Sequence, residues 1–81
     1  MRKITDRQLK YLNILLSEAF GEANRKTYLW LFYKTKSSRD LDVETASEII
    51  EKFVPDNNER EKHIGQAQNK IYEFLGQKTL L

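Results

Sequence analysis

Asp40 and Asp42, in the tripeptide Asp-Leu-Asp, are the two side chains with the shortest route to chemistry. Carboxylates at that spacing can offer oxygens to a hard cation. Asp42 has a competing use, because it stands where a helix begins and aspartate is a strong N-cap. The sequence therefore assigns no metal here. The chain has a single histidine, His63, and no cysteine. Disulfides, thiolate zinc sites, cysteine nucleophiles and histidine-rich metal sites are excluded together. Gly21, Gly65 and Gly76 stand alone, so no glycine-rich phosphate loop is present. Glu44, Glu48 and Glu51 share a side of a helix, as expected of a solvated face. Lys52 lies within a turn of Glu48 and suits an exposed pairing. The reading is of a protein without catalytic residues or cofactors.

Basic residues are the other chemical resource. Residues 1–39 hold nine Lys/Arg against Asp6, Glu18 and Glu22, a balance of +6. Residues 40–81 hold five against nine acids, a balance of −4. A basic half attracts nucleic acid or an acidic protein, unless the two halves fold together and their charges complement. The candidate nucleic-acid contacts are Arg2, Lys3, Arg7, Lys10, Arg25, Lys26, Lys34, Lys36 and Arg39.

The elements that must position these cations are helical. Thr5 and Gln8 form a capping box, Ile4 can staple onto Leu9, and Leu9, Leu12, Leu15, Leu16, Ala19 and Phe20 recur at helical spacing up to Gly21. A second helix runs from about Glu22 to Tyr33 or Lys34. After the loop 35–41, Asp42 caps a third, with Leu41 stapling onto Ala46 and a stripe of Val43, Ala46, Ile49, Ile50 and Phe53 ending at Pro55. Asp56 and Glu59 then make a cap-like pair, so a fourth helix is expected from Asn57 or Asn58. Its stripe is Ile64, Ala67, Gln68, Ile71, Phe74 and Leu75, and Gly76 is its expected stop. The tail 77–81 reads as frayed.

The predicted fold is all-α: one domain over residues 1–81, with a three-helix core at 4–54 and a longer C-terminal helix at 57–76. Eighty-one residues bury only roughly 60–65% of their unfolded surface. The longest apolar run, Tyr28–Tyr33, is far short of the ~20 residues that span a bilayer. The start is basic with no apolar segment after it, unlike a signal peptide. A cytoplasmic protein with no membrane partner is expected.

Tyr28–Tyr33 also makes the second helix apolar nearly all round, which predicts a central element touched by the other three. Its rings either fill the core or leave Trp30 and Tyr33 exposed beside Lys26 and Lys34, as a surface for bases or for a protein. The first helix carries a second stripe, Arg7, Tyr11, Ile14 and Glu18, opposite its core face. Either the fourth helix covers it or another molecule does. Tyr11, Ile14, Trp30 and Tyr33 are thus the candidate partner contacts. The fourth helix is expected to fold back across Tyr11, Ile14 and the Trp30 side, giving a monomer, in preference to pairing with a second copy.

The segments ITDRQLKYLNILLSEAFG and KSSRDLDVETASEIIEKF resemble a small helical domain of phage and prophage proteins. The similarity is to end modules of phage single-strand annealing and recombination proteins, and to gyrase-modulating regulatory proteins of Mu-like phages. It is carried by Thr5, Gln8, Leu12 and Gly21, then Ser37, Ser38, Leu41, Ala46, Ser47, Ile50 and Phe53, over the first two-thirds of the chain. It implies a non-enzymatic accessory module in DNA metabolism. The alternative is a protein-interaction module that binds or inhibits a host or phage protein without touching nucleic acid. A helix-turn-helix reading is not favoured. The loop between the second and third helices is too long, and the third is acidic, so phosphates would repel it.

Overall fold

The structure, a computed structural model, describes residues 2–79. Four α-helices follow in order: α1 (Asp6–Phe20), α2 (Glu22–Tyr33), α3 (Val43–Phe53) and α4 (Arg60–Thr79), with a short 3₁₀ turn at Ser38–Asp40. Among the described residues the only β pairing is an isolated antiparallel bridge between Lys3 and Asp42. The chain is an all-α bundle, as the periodicity predicts.

Local chemistry sets the boundaries. The Thr5 hydroxyl accepts from the Gln8 amide at 3.1 Å, and Gln8 Oε1 accepts from the Thr5 amide at 3.1 Å, closing the capping box. The Gln8 side chain also reaches α3, donating to the Val43 carbonyl at 3.2 Å and to Ser47 Oγ at 3.1 Å. One residue therefore caps α1 and ties its start to the start of α3. Asp42 caps α3, its Oδ1 accepting from the Thr45 amide at 2.7 Å. That backbone bond holds the Asp42 carboxyl below the usual carboxylate range.

Gly21 alone joins α1 to α2, at φ +86° and ψ 162°. That conformation is open only to glycine. Gly76 does not stop α4, which continues to Thr79. A glycine ends a helix by adopting positive φ, and among the described residues only Gly21 and Lys34 do so. Residues 77–79 are thus helical, and residues 80 and 81 of the expected frayed tail lie outside the described residues. At the other end, α4 begins at Arg60, later than expected. Asn57 organises the turn in place of Asp56: its Oδ1 accepts from the Glu59 amide at 2.8 Å and its Nδ2 donates to the Glu51 carbonyl at 2.6 Å.

The core is one cluster: Leu12, Leu15, Leu16 and Phe20 from α1, Tyr28 and Leu29 from α2, Leu41, Ala46, Ile49 and Phe53 from the loop and α3, and Ile64, Ala67 and Ile71 from α4. Phe20, Tyr28 and Phe53 pack as a triangle, with centroids 5.0 Å apart for Phe20–Tyr28 and 5.5 Å for each of the other two pairs. All three other helices touch α2, as expected, but α1 supplies the largest share of the core, four of its thirteen buried residues. The Tyr28 hydroxyl is pushed well above the phenol range by burial, with Tyr33 beside it adding to the effect.

The fourth helix folds back and buries Ile64, Ala67 and Ile71 of its stripe within the chain, though not where expected, and leaves Leu75 exposed. Tyr11 and Ile14 remain 43% and 46% exposed, so α4 does not cover them. It lies instead across the other side of the bundle. Gln68 donates to the Ala19 carbonyl at 3.3 Å and Arg60 Nε to the Phe53 carbonyl at 3.0 Å. There Ile64, Ala67 and Ile71 join the core cluster that holds Phe20, Tyr28 and Phe53.

Two outcomes follow. Ile71 is 1% exposed, so Ile71→Ala should lower stability by about 2–5 kcal/mol in chemical denaturation. Asp42 has a depressed folded-state pKa, so its contribution is present above the unfolded value of about 3.9 and is lost as pH falls through the folded value. The urea midpoint of the native chain should therefore fall more steeply between about pH 4 and pH 2 than that of Asp42→Asn.

Candidate nucleic-acid interface

The nine candidate cations do not share one surface. Arg2 and Lys3 are drawn to the acidic side, because residues 2–4 pair with 41–43. The Val43 amide donates to the Arg2 carbonyl and the Ile4 amide to the Leu41 carbonyl, each at 2.9 Å. Both side chains border small hollows that also take in Asp40 and Asp42, and Arg2 lies beside Glu44. Carboxylates share their surroundings, which lowers the local positive potential.

Arg25, Lys26, Lys36 and Arg39 are brought together. They line one recess of about 280 Å³ between the first half of α2 and the loop 36–39. Asn13, Ser37 and Ser38 add polar groups to the wall, and Leu9 and Leu29 add apolar ones. No carboxylate lines it. Sequence distance hid this grouping, since the four cations fall in two clusters joined only by the reversal after α2.

That reversal is built at Lys34, which ends α2 in the left-handed conformation at φ 53°. Its amide donates to the Trp30 carbonyl at 3.0 Å. Local bonds then hold the loop. Thr35 Oγ1 donates to the Ser37 carbonyl at 3.1 Å, Ser37 Oγ accepts from the Arg39 amide at 3.3 Å, and Ser38 Oγ donates to Asn13 Oδ1 at 2.9 Å. Leu41, 5% exposed, anchors the far end in the core. Arg25 is half-buried, and its Nη1 donates to Ser17 Oγ at 3.2 Å. One of five guanidinium N–H donors is thereby used, and the group is held in place by a neutral partner.

Lys10 is exposed on α1, three residues before Asn13 of the recess wall. Arg7 lies further round that helix, on the face of Tyr11, Ile14 and Glu18. Lys34 stands at the end of α2 with Nζ 5.9 Å from the Trp30 ring centroid. Trp30 is 43% exposed, so the aromatic run is not all core. Tyr28 and Leu29 are buried, whereas Trp30 and Phe32 reach solvent. Tyr33 packs against the core, and its hydroxyl accepts from Lys52 Nζ at 3.5 Å. Tyr33 is thus only partly exposed, and Lys52 is turned to it in place of its expected pairing with Glu48. Glu44, Glu48 and Glu51 are exposed, and His63 is half-buried with Nε2 3.9 Å from Glu59.

The chain matches no protein-family model, no curated protein and no solved structure. Nothing in these comparisons links it to the phage modules that its first two-thirds resemble.

A second, broader hollow of about 870 Å³ lies between α2 and α4, walled by Phe32 and Tyr72 and floored by Gln66, Asn69, Lys70 and Glu73. Its charges are mixed, so it does not select an anion. Among the described residues no three of His, Cys, Asp and Glu gather closely enough to hold a metal ion, and no helix is long and apolar enough to cross a membrane.

The exposure of Tyr11 and Ile14 has a direct consequence for stability. Ile14→Asp should change the melting free energy by no more than about 0.5 kcal/mol, as for other surface substitutions. A loss of the size expected for Ile71→Ala would place Ile14 under a packed element.

Proposed function

We propose that this domain binds the sugar–phosphate backbone of nucleic acid through the recess of Arg25, Lys26, Lys36 and Arg39, as an accessory module with no catalytic role of its own. The carrying observation is that these four cations surround one hollow with no carboxylate among its lining residues. Lys10 and Lys34 extend the positive surface on either side. Arginine forks suit phosphate oxygens bidentately, and lysines add point charge. Asn13, Ser37 and Ser38 supply neutral polar groups of the kind that fix a phosphate in register. A role in DNA metabolism, which the phage-module resemblance implies, is consistent with this chemistry.

Backbone binding of this kind displaces counterions, so its affinity falls steeply with salt. With roughly four to six phosphates neutralised, the slope of log K against log salt should be about −3 to −5. Fluorescence anisotropy with labelled DNA at low and moderate salt measures it. Lys36→Glu with Arg39→Glu should weaken binding at least ~10-fold and flatten the slope. Arg2→Glu with Lys3→Glu should do neither. Absence of binding at low salt, or recess variants that bind like the native chain, would sink the proposal.

The exposed Tyr11–Ile14 face supports a second reading, a protein-interaction module. An exposed aromatic beside an aliphatic residue, rimmed by Arg7 and Glu18, has the make-up of a small contact patch. Under that reading Ile14→Asp abolishes partner capture and leaves DNA unbound in every form of the chain.

A further inference from the structure

We infer that the ligand is single-stranded nucleic acid, with Trp30 as the platform on which an unpaired base stacks. This inference rests on the backbone-binding reading above and specifies it. Lys26 and Trp30 are four residues apart on the outward side of α2 and so are neighbours on one face, and Lys34 follows at the C-cap. Lys26 belongs to the basic recess as well. Trp30 therefore stands one helical turn, about 5.4 Å, beyond a cation that lines the proposed phosphate site. Trp30 is 43% exposed, and the Lys34 ammonium lies 5.9 Å from its ring centroid.

A ligand that fits this face needs anionic groups and a flat π surface a few ångströms apart. A nucleotide strand has both. In a duplex the base faces are already covered by their neighbours, so only an unstacked base can lie on the indole. Tyr28 and Leu29 commit another side of α2 to the core. The helix can thus offer a flat side to a strand, whereas reading a groove would need more of its circumference. Lys34 is held at the ring by a loose cation–π contact at the outer limit of such interactions. A stacking base displaces it and leaves its ammonium to meet the adjoining phosphate. The sole carboxylate of α2, Glu22, is two turns away from Trp30.

Trp30 is the single tryptophan of the chain, so intrinsic emission reports this site alone. The experiment titrates the full chain at low salt with a short oligothymidylate, with a duplex of equal length and with thymidine monophosphate. The expected result is quenching of Trp30 by the single strand, which binds more tightly than the duplex and far more tightly than the mononucleotide. Trp30→Ala should weaken single-strand binding on the order of 10- to 100-fold, the range that loss of one stacked base gives. Trp30→Phe should retain most of the affinity and guards against an alanine variant that fails to fold, which circular dichroism would reveal. Three results overturn the inference while leaving the backbone reading intact. They are single-strand binding with emission and Trp30→Ala affinity unchanged, tighter binding of the duplex, and a mononucleotide that binds as well as the strand through the recess cations. If none of the three ligands binds, the backbone reading falls with it.

Discussion

The contact of Phe20, Tyr28 and Phe53 holds the rest of the molecule in place. Each ring touches the other two, with Phe20 and Tyr28 stacked and Phe53 edge-on to both. The three belong to α1, α2 and α3, so one cluster fixes three helices. Gly21 makes it possible, because a single residue at φ +86° reverses the chain sharply enough to return Tyr28 to Phe20. Tyr28 also fixes the outward side of α2. Successive helical residues are rotated by about 100°, so side chains two positions away lie nearly opposite. With Tyr28 inside, Lys26 and Trp30 must face out. The core contact and the candidate binding face are one constraint seen from two sides.

Neutral groups hold the basic recess. Serine, threonine and asparagine bonds fix the loop 35–39, and Ser17 takes the Arg25 guanidinium. A loop braced by carboxylates would have been as rigid and would have cancelled the charge it presents. The left-handed Lys34 belongs to the same design. A lysine there costs roughly 1–2 kcal/mol relative to helical geometry, a strain glycine would avoid. Its compensation is an ammonium placed at the Trp30 ring.

Legibility in the sequence followed the range of the interactions. Both side-chain caps, at Thr5 and Asp42, could be read because each is closed within three residues. The stripes of α1, α3 and α4 could be read because burial follows helical period. The side of the bundle on which α4 lies could not, since the core surface it joins exists only after the other helices have met. Gly21 and Gly76 look alike in sequence and differ in structure, because neighbours decide whether a glycine takes positive φ. The acidic surroundings of Arg2 and Lys3 were hidden for the same reason. The bridge to Asp42 that carries them to the acidic side spans 39 positions. The recess was partly legible, as a list of cations without a shape.

The division of charge between the two halves of the chain takes its meaning from where the ion pairs fall. Complementary halves would neutralise each other through direct contacts. The ion pairs among the described residues, Arg60–Glu61 and Glu59–His63, both lie inside the acidic half. Only Arg2 and Lys3 come near opposing carboxylates, and they do so through hollows shared with Asp40 and Asp42. Arg25, Lys26, Lys36 and Arg39 keep their charge facing a common space, while Glu44, Glu48 and Glu51 stay exposed along α3. A molecule with separated basic and acidic surfaces and a net charge of only +2 orients an approaching polyanion more than it attracts one. Within a Debye length, ~8–10 Å at physiological salt, the local sign of the surface decides the encounter. The arrangement fits the proposed module, because a strand meeting the recess finds no carboxylate among its lining residues.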